Sequence, residues 1–185
     1  MLSAQAGETR TPAYLALNPR GHVPTLVEGD VVLYESIAIL AYLEARWPSP
    51  PLFGTAPRET GEIWRVIAEC TCYLQAAAEA FILPLYFGDA EGRAAELEQA
   101  ARTIHAELAR ITASLAHSPY LVGDALSAAD LVMLPAVQSL LRAAGKPAAA
   151  ALAIPFLPLA PELDAWRARL EALPYYARTY PPHWR

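Results

Sequence analysis

The run Pro48-Ser49-Pro50-Pro51-Leu52-Phe53-Gly54 constrains this chain more than any other feature. Each proline fixes φ and withholds an amide donor, so the stretch stays extended and semi-rigid. Residues before it mix short strand signals with a helix, and residues after it are helical by composition. The chain therefore divides into residues 1–47, a linker over 48–56, and an all-helical domain over 57–185. A length of 185 residues suits one large domain or two small ones and is enough to bury a core.

In the first part, Val23 to Val27 and Val31 to Tyr34 are short β-rich runs around Glu28-Gly29-Asp30, the pattern of a hairpin. Ile37, Ala38, Leu40, Ala41 and Leu43 then recur at helical spacing until Trp47-Pro48 stops them. Two strands and one helix bury little. Either further strands complete that sheet, or residues 1–47 are the tail of a larger domain. The sheet edge near Val23 to Val27 is expected to be covered by another segment or a neighbouring chain, because a bare edge invites aggregation.

In the second part, one helix is expected from Arg58 towards Leu85, ending near Pro84. Another spans Glu91 to Ala116, with Leu97, Ile104, Leu108, Ile111 and Leu115 as its apolar stripe. A third begins at Ser127, and shorter segments lie near Lys146 to Leu152 and Glu162 to Ala172.

Charge and composition exclude several classes. A chain 55% hydrophobic and only 18% charged is not disordered. Its net charge is −5 and it has no run of Lys or Arg, which argues against a nucleic-acid surface. The start, Met1-Leu2-Ser3-Ala4-Gln5, has no basic or apolar stretch of a signal peptide. The longest apolar run, Ala148 to Leu159, is too short to span a bilayer and is broken by Pro155 and Pro158. No membrane contact and no metal site are expected. Cys70 and Cys72 point about 200° apart on a helix and cannot bridge each other, which fits a reducing cytoplasm.

Three motifs carry chemistry. In Asn18-Pro19-Arg20-Gly21-His22-Val23-Pro24-Thr25-Leu26, the Val-Pro step is a candidate cis peptide. Such a turn can leave the N–H and C=O of Val23 facing outward, ready to pair with a peptide; the other reading is a plain loop before an edge strand. In Tyr34-Glu35-Ser36-Ile37-Ala38-Ile39 a strand runs directly into a helix. Ser36 then joins a hydroxyl to the free N–H groups and positive dipole end of that helix, a site for a carboxylate. Glu35 beside it can accept an ammonium group, so the pair suits both charges of an α-amino acid. Alternatively the two residues only cap the helix. In the third motif, Ser127 and Asp130 make a capping-box variant, with Leu126 and Leu131 placed as a hydrophobic staple. That box is structural.

Taken in order, the three motifs resemble the glutathione S-transferase family. That family shows an Asn-Pro-x-Gly-x-Val-Pro-x-Leu turn, a Glu-Ser-x-Ala-Ile-x-x-Tyr-Leu helix start and a Ser-x-x-Asp box in a helical domain. Here the helix start is Glu35-Ser36-Ile37-Ala38-Ile39-Leu40-Ala41-Tyr42-Leu43, and the stretch from Leu173 to Pro182 is similar to bacterial members. The resemblance implies an α/β plus all-α chain, a truncated thioredoxin-like N-terminal domain followed by an all-helical C-terminal domain. It implies that Val23, held by a cis Pro24, pairs with the cysteinyl unit of glutathione, and that Glu35 and Ser36 bind its γ-glutamyl end. His22 falls where members place a residue near the glycine carboxylate; it is a ligand or a solvated loop residue. Tyr42 and Leu43 would be packing.

The family's catalytic Ser, Tyr or Cys follows its first strand, and this chain begins about where the second strand has finished. Ser3 and Thr9 fall too late in the pattern, so the catalytic residue is unassigned. Cys70, Cys72 and Tyr73 lie on the helix that by this resemblance lines the hydrophobic pocket, and the two cysteines read as buried, unreactive thiols. His105 and His117 look like surface residues, and His183 and Trp184 could fold over the pocket. Two functions follow. The chain conjugates glutathione, a co-substrate needing no cofactor, to a hydrophobic electrophile, as a cytoplasmic homodimer; or it is a non-catalytic glutathione-binding or protein-interaction module.

Overall fold

The computed structural model describes residues 6–88 and 90–180. They form two compact units, the first ending at Leu52 and the second beginning at Phe53.

The first unit opens with a 3₁₀ turn, Glu8–Arg10, and a six-residue helix, α1, Pro12–Leu17. No helix is expected there from periodicity, because six residues complete fewer than two turns. Its start has a local cause: the Thr11 hydroxyl accepts from the amide of Tyr14, and Pro12 sits where a missing N–H costs nothing. Strands β1, Thr25–Glu28, and β2, Val31–Tyr34, pair antiparallel with Thr25 opposite Tyr34 and Glu28 opposite Val31. Among the described residues β1 pairs with β2 alone, so the expected cover for its outer edge is not supplied by this part of the chain.

Helix α2, Ser36–Arg46, follows directly. Its Tyr42 hydroxyl donates to Glu28 Oε2 at 2.8 Å, and Arg46 lies 3.6 Å from Glu28 Oε1, so one carboxylate ties the helix to β1. The Glu28 bond raises the Tyr42 phenol above its ordinary range, which makes Tyr42 a polar tether as well as a packing residue. No residue of β1, β2 or α2 is fully buried. As the sequence leads one to expect, this small sheet has little apolar core; its buried residues, Thr9, Tyr14, Asn18 and Gly21, are mostly polar.

The second unit is helical: α3, Pro57–Glu69; α4, Gln75–Phe87; α5, Ala94–Ile111; α6, Ala128–Ala144; α7, Pro161–Glu171; and α8, Tyr176–Thr179. A π-helical turn, Cys70–Leu74, joins α3 to α4 without a break. The helix therefore runs on past Pro84, where the sequence suggests an end, to Gly88, whose left-handed φ of 76° allows it to close the last turn on the carbonyl of Pro84. Pro84 forgoes one bond, to the Ala80 carbonyl, and is itself buried in the core. By length and composition this continuous helix, Pro57–Phe87, could also cross a membrane. Here it carries Ile63, Val66, Ile67, Leu74 and Phe81 into the core and packs against α5 and α6.

The stripe expected on α5 is buried throughout: Leu97, Ile104, Leu108 and Ile111, with Leu115 in the 3₁₀ turn that follows. The capping box at Ser127 is present, and its Asp130 does more than cap. Buried completely, its carboxylate accepts from the Leu121 amide at 3.0 Å, the Ser127 amide and hydroxyl at 2.9 Å each, and the Trp166 indole at 2.8 Å. One side chain thus joins the loop before α6, the start of α6, and α7.

Candidate functional site

The residues expected to bind a ligand all lie in the first unit, and the hairpin register brings them together. Because Thr25 faces Tyr34, Val23-Pro24 and Glu35-Ser36 lie at the same end of the hairpin. Arg20 reaches from the loop to the corner, with Nε 3.5 Å from Glu35 Oε1. Both partners are mostly exposed, so the contact contributes little to stability. It is nonetheless a contact that sequence reading missed.

The loop is held from beneath. Asn18 is almost fully buried and its Nδ2 donates to the His22 carbonyl at 2.8 Å and to Thr25 Oγ1 at 3.2 Å. Its Oδ1 accepts from the Arg20 amide at 3.0 Å. Tyr14, also buried, places its hydroxyl 2.6 Å from the same His22 carbonyl and 2.9 Å from Thr25 Oγ1. A carbonyl can only accept, so the phenol proton goes to His22 and Thr25 must donate to the phenol oxygen. Every polar atom in this knot then has a role. Gly21 closes it: at φ 63° its absent Cβ would lie 2.9 Å from the Thr9 carbonyl, so a side chain there would push the two segments apart.

Above this support, the Val23–Pro24 peptide is cis, as the motif suggests. Val23 is 61% exposed, and its N–H and C=O take part in no hydrogen bond among the described residues. The His22 side chain is exposed, whereas its carbonyl is locked underneath.

At the corner, Glu35 adopts φ 74° and ψ 120°, the one non-glycine residue with positive φ among those described. Such a conformation costs on the order of 1–3 kcal/mol and persists where surroundings impose it, most often at functional sites. Glu35 occupies the cap position of α2, yet its side chain makes no capping bond. Ser36 is exposed, and its hydroxyl has no partner among the described residues. Simple helix capping therefore does not account for this pair. The α2 terminus presents unpaired amides, a dipole end and a free hydroxyl, with a carboxylate alongside.

Other residues singled out from the sequence belong to other elements or fall outside the described residues. Ser3, His183 and Trp184 fall outside the described residues. Thr9 is buried in the first 3₁₀ turn. Cys70 is buried and burial pushes its thiol up to about 11, so it stays protonated and inert near neutral pH. Cys72 is exposed, contrary to the expectation that both thiols are buried. Two residues on from the buried Cys70, it lies on the opposite face of the helix. Among the described residues no group of His, Cys, Asp and Glu is arranged to hold a metal ion.

Comparisons with known proteins bear on the family of the chain. Residues 2–46 match the family described as glutathione S-transferase, N-terminal domain, and residues 74–174 match the glutathione S-transferase, C-terminal domain. The chain is 35% identical to glutathione S-transferase F10 of Arabidopsis thaliana over 147 residues, 76% of this chain and 67% of the relative. It is 33% identical to glutathione S-transferase 3 of Zea mays over 181 residues, 94% of this chain and 77% of the relative. Among solved structures, the theta class glutathione S-transferase of Xanthomonas axonopodis pv. citri, with glutathione bound, is similar at a TM-score of 0.73 and 34% identity. That match covers 92% of this chain and 77% of the other.

Proposed function

The chain belongs to the glutathione S-transferase family, and from that premise we propose that it binds glutathione at the open end of the hairpin and conjugates it to a hydrophobic electrophile. The observation that carries this reading is the register placing Val23 and Ser36 at one hairpin end, each with unpaired hydrogen-bonding groups.

Each end of the tripeptide has a chemically matched partner. The cysteinyl unit pairs with the N–H and C=O of Val23 as a short added strand. The γ-glutamyl carboxylate sits on the Ser36 hydroxyl and the first amides of α2, where negative charge is favoured, and the ammonium sits at Glu35. The glycine carboxylate lies towards His22. Arg10, which donates to the Arg20 carbonyl at 3.3 Å, adds positive charge to that loop, while the Arg20 side chain is turned to Glu35. The bound thiol reacts as its thiolate: sulfur forms a bond to the electrophilic carbon, the leaving group departs with the bonding pair, and the thiol proton is released. Tyr14 is not a source of thiolate stabilisation, since its proton is committed to His22 beneath the loop.

A cytoplasmic setting and a two-fold homodimer belong to the same reading. The free, buried thiol of Cys70 supports a reducing compartment. A solution mass of one 20.0 kDa chain would remove the dimer from it.

Steady-state conjugation of glutathione to a dinitrohalobenzene tests the reading. Ser36→Ala removes a charge-assisted hydrogen bond, so the KM for glutathione rises about tenfold while kcat changes little. An unchanged KM would remove Ser36 from the site. Saturable glutathione binding without turnover would place the chain instead among non-catalytic binding modules.

A further inference from the structure

A cavity of about 320 Å³ lies within the helical unit, between α6 and α8. Leu131, Leu134 and Pro135 of α6 form one wall, and the rings of Tyr176 and Tyr180, 5.7 Å apart at 59°, form another. This volume is at the lower end of the roughly 300–1,000 Å³ range of small-molecule sites.

The polar groups at this cavity leave one proton unspent. Gln138 Nε2 donates to Glu171 Oε1 at 3.0 Å, and a carboxylate requires a donor there. The same nitrogen contacts the Tyr176 hydroxyl, which must then accept the amide's second proton. The phenol proton of Tyr176 has no acceptor among the described residues. Pro135, also in the lining, has no N–H, so the Leu131 carbonyl lacks its usual donor four residues on. Two lining residues thus carry an unspent donor and an underused acceptor, among apolar and aromatic neighbours. Charge is not invited: Glu171 Oε2 is already neutralised by Arg167 at 2.7 Å, and an anion would meet that carboxylate.

We propose that this cavity is a second small-molecule site, taking an uncharged one- or two-ring aromatic alcohol whose oxygen accepts from Tyr176 and whose proton goes to the Leu131 carbonyl. It does not rest on the glutathione reading, because every group it uses lies between Leu131 and Tyr180.

Calorimetric titration of the full chain with 2-naphthol, and with naphthalene as a ring of the same shape lacking the hydroxyl, tests it. The expected result is one saturable 2-naphthol site, with naphthalene binding about tenfold more weakly. Tyr176→Phe narrows that difference to about threefold, since a single neutral hydrogen bond is worth that order. Leu131→Trp fills the cavity and abolishes binding, and both variants keep the wild-type conjugation rate. The proposal is overturned if 2-naphthol does not saturate, if it persists at wild-type affinity in Leu131→Trp, or if 2-naphthol and naphthalene bind the wild-type chain equally. The last comparison needs no variant to fold.

Discussion

Asp130→Ala lowers the stability of the helical unit by about 3–5 kcal/mol, the largest single-residue effect expected in this chain. The loss follows from what is left behind. Four donors point at this fully buried carboxylate: two backbone amides, a hydroxyl and an indole N–H. Removing it orphans them in a dry environment, and each orphan costs about 1–3 kcal/mol before any relaxation. Asp130→Asn should fare little better, because one of its two polar atoms becomes a donor facing donors. Ser127→Ala removes a single hydroxyl and should cost only about 1 kcal/mol. Denaturant unfolding followed by the fluorescence of Trp166, which is buried against the same carboxylate, reads all three. An Asp130→Asn variant as stable as the parent would mean that the four bonds do not hold the unit together.

Asn18→Ala should weaken glutathione binding at least tenfold although Asn18 touches no ligand in the proposed site. Its side chain makes three hydrogen bonds, to His22, Thr25 and Arg20, and sits almost wholly buried under the loop that presents Val23. Without it the Arg20 amide loses its acceptor, and the His22 carbonyl keeps only Tyr14. Val23 then samples orientations in which its N–H and C=O no longer face one way, and the ordering cost is added to every binding event. Tyr14→Phe is the control. It keeps the packed ring, leaves Asn18 on the His22 carbonyl, and should cost a few-fold. Glutathione titration into each variant, with circular dichroism to verify folding, separates the two. Equal effects of Asn18→Ala and Tyr14→Phe would show that the Tyr14 hydroxyl holds the loop as firmly as the Asn18 amide does.

What could be read from the sequence was local. The hairpin turn, the strand-to-helix corner at Glu35-Ser36 and the box at Ser127 are each written in fewer than ten consecutive residues, and each forms where expected. The family itself was legible because those short patterns occur in a set order. Contacts between distant positions were not. Nothing near Asp130 announces the Trp166 indole, 36 residues on, and nothing in the Asn-Pro turn announces the Tyr14 hydroxyl beneath it. Helix α1 was missed because six residues carry no period, although Thr11-Pro12 is a start signal on its own. The π-helical turn at Cys70–Leu74 has no composition signature, and the exposure of Cys72 follows from its place on the face opposite the buried Cys70. The residues named for the ligand came from charge matching and resemblance, and the register of β1 on β2 supplies the physical reason they lie at one end.

The central claim is that the corner at Ser36 holds the γ-glutamyl end of glutathione while Val23 holds the middle. Calorimetric titration of the wild-type chain and of Ser36→Ala with glutathione and with cysteinylglycine, which lacks the γ-glutamyl group, tests it most directly. The account predicts that wild type binds glutathione well above cysteinylglycine. Ser36→Ala should then lose about tenfold for glutathione and nothing for cysteinylglycine, because the lost hydrogen bond has a partner in only one of the two ligands. Equal losses on both ligands, or none on either, would contradict the assignment of Ser36 to that carboxylate.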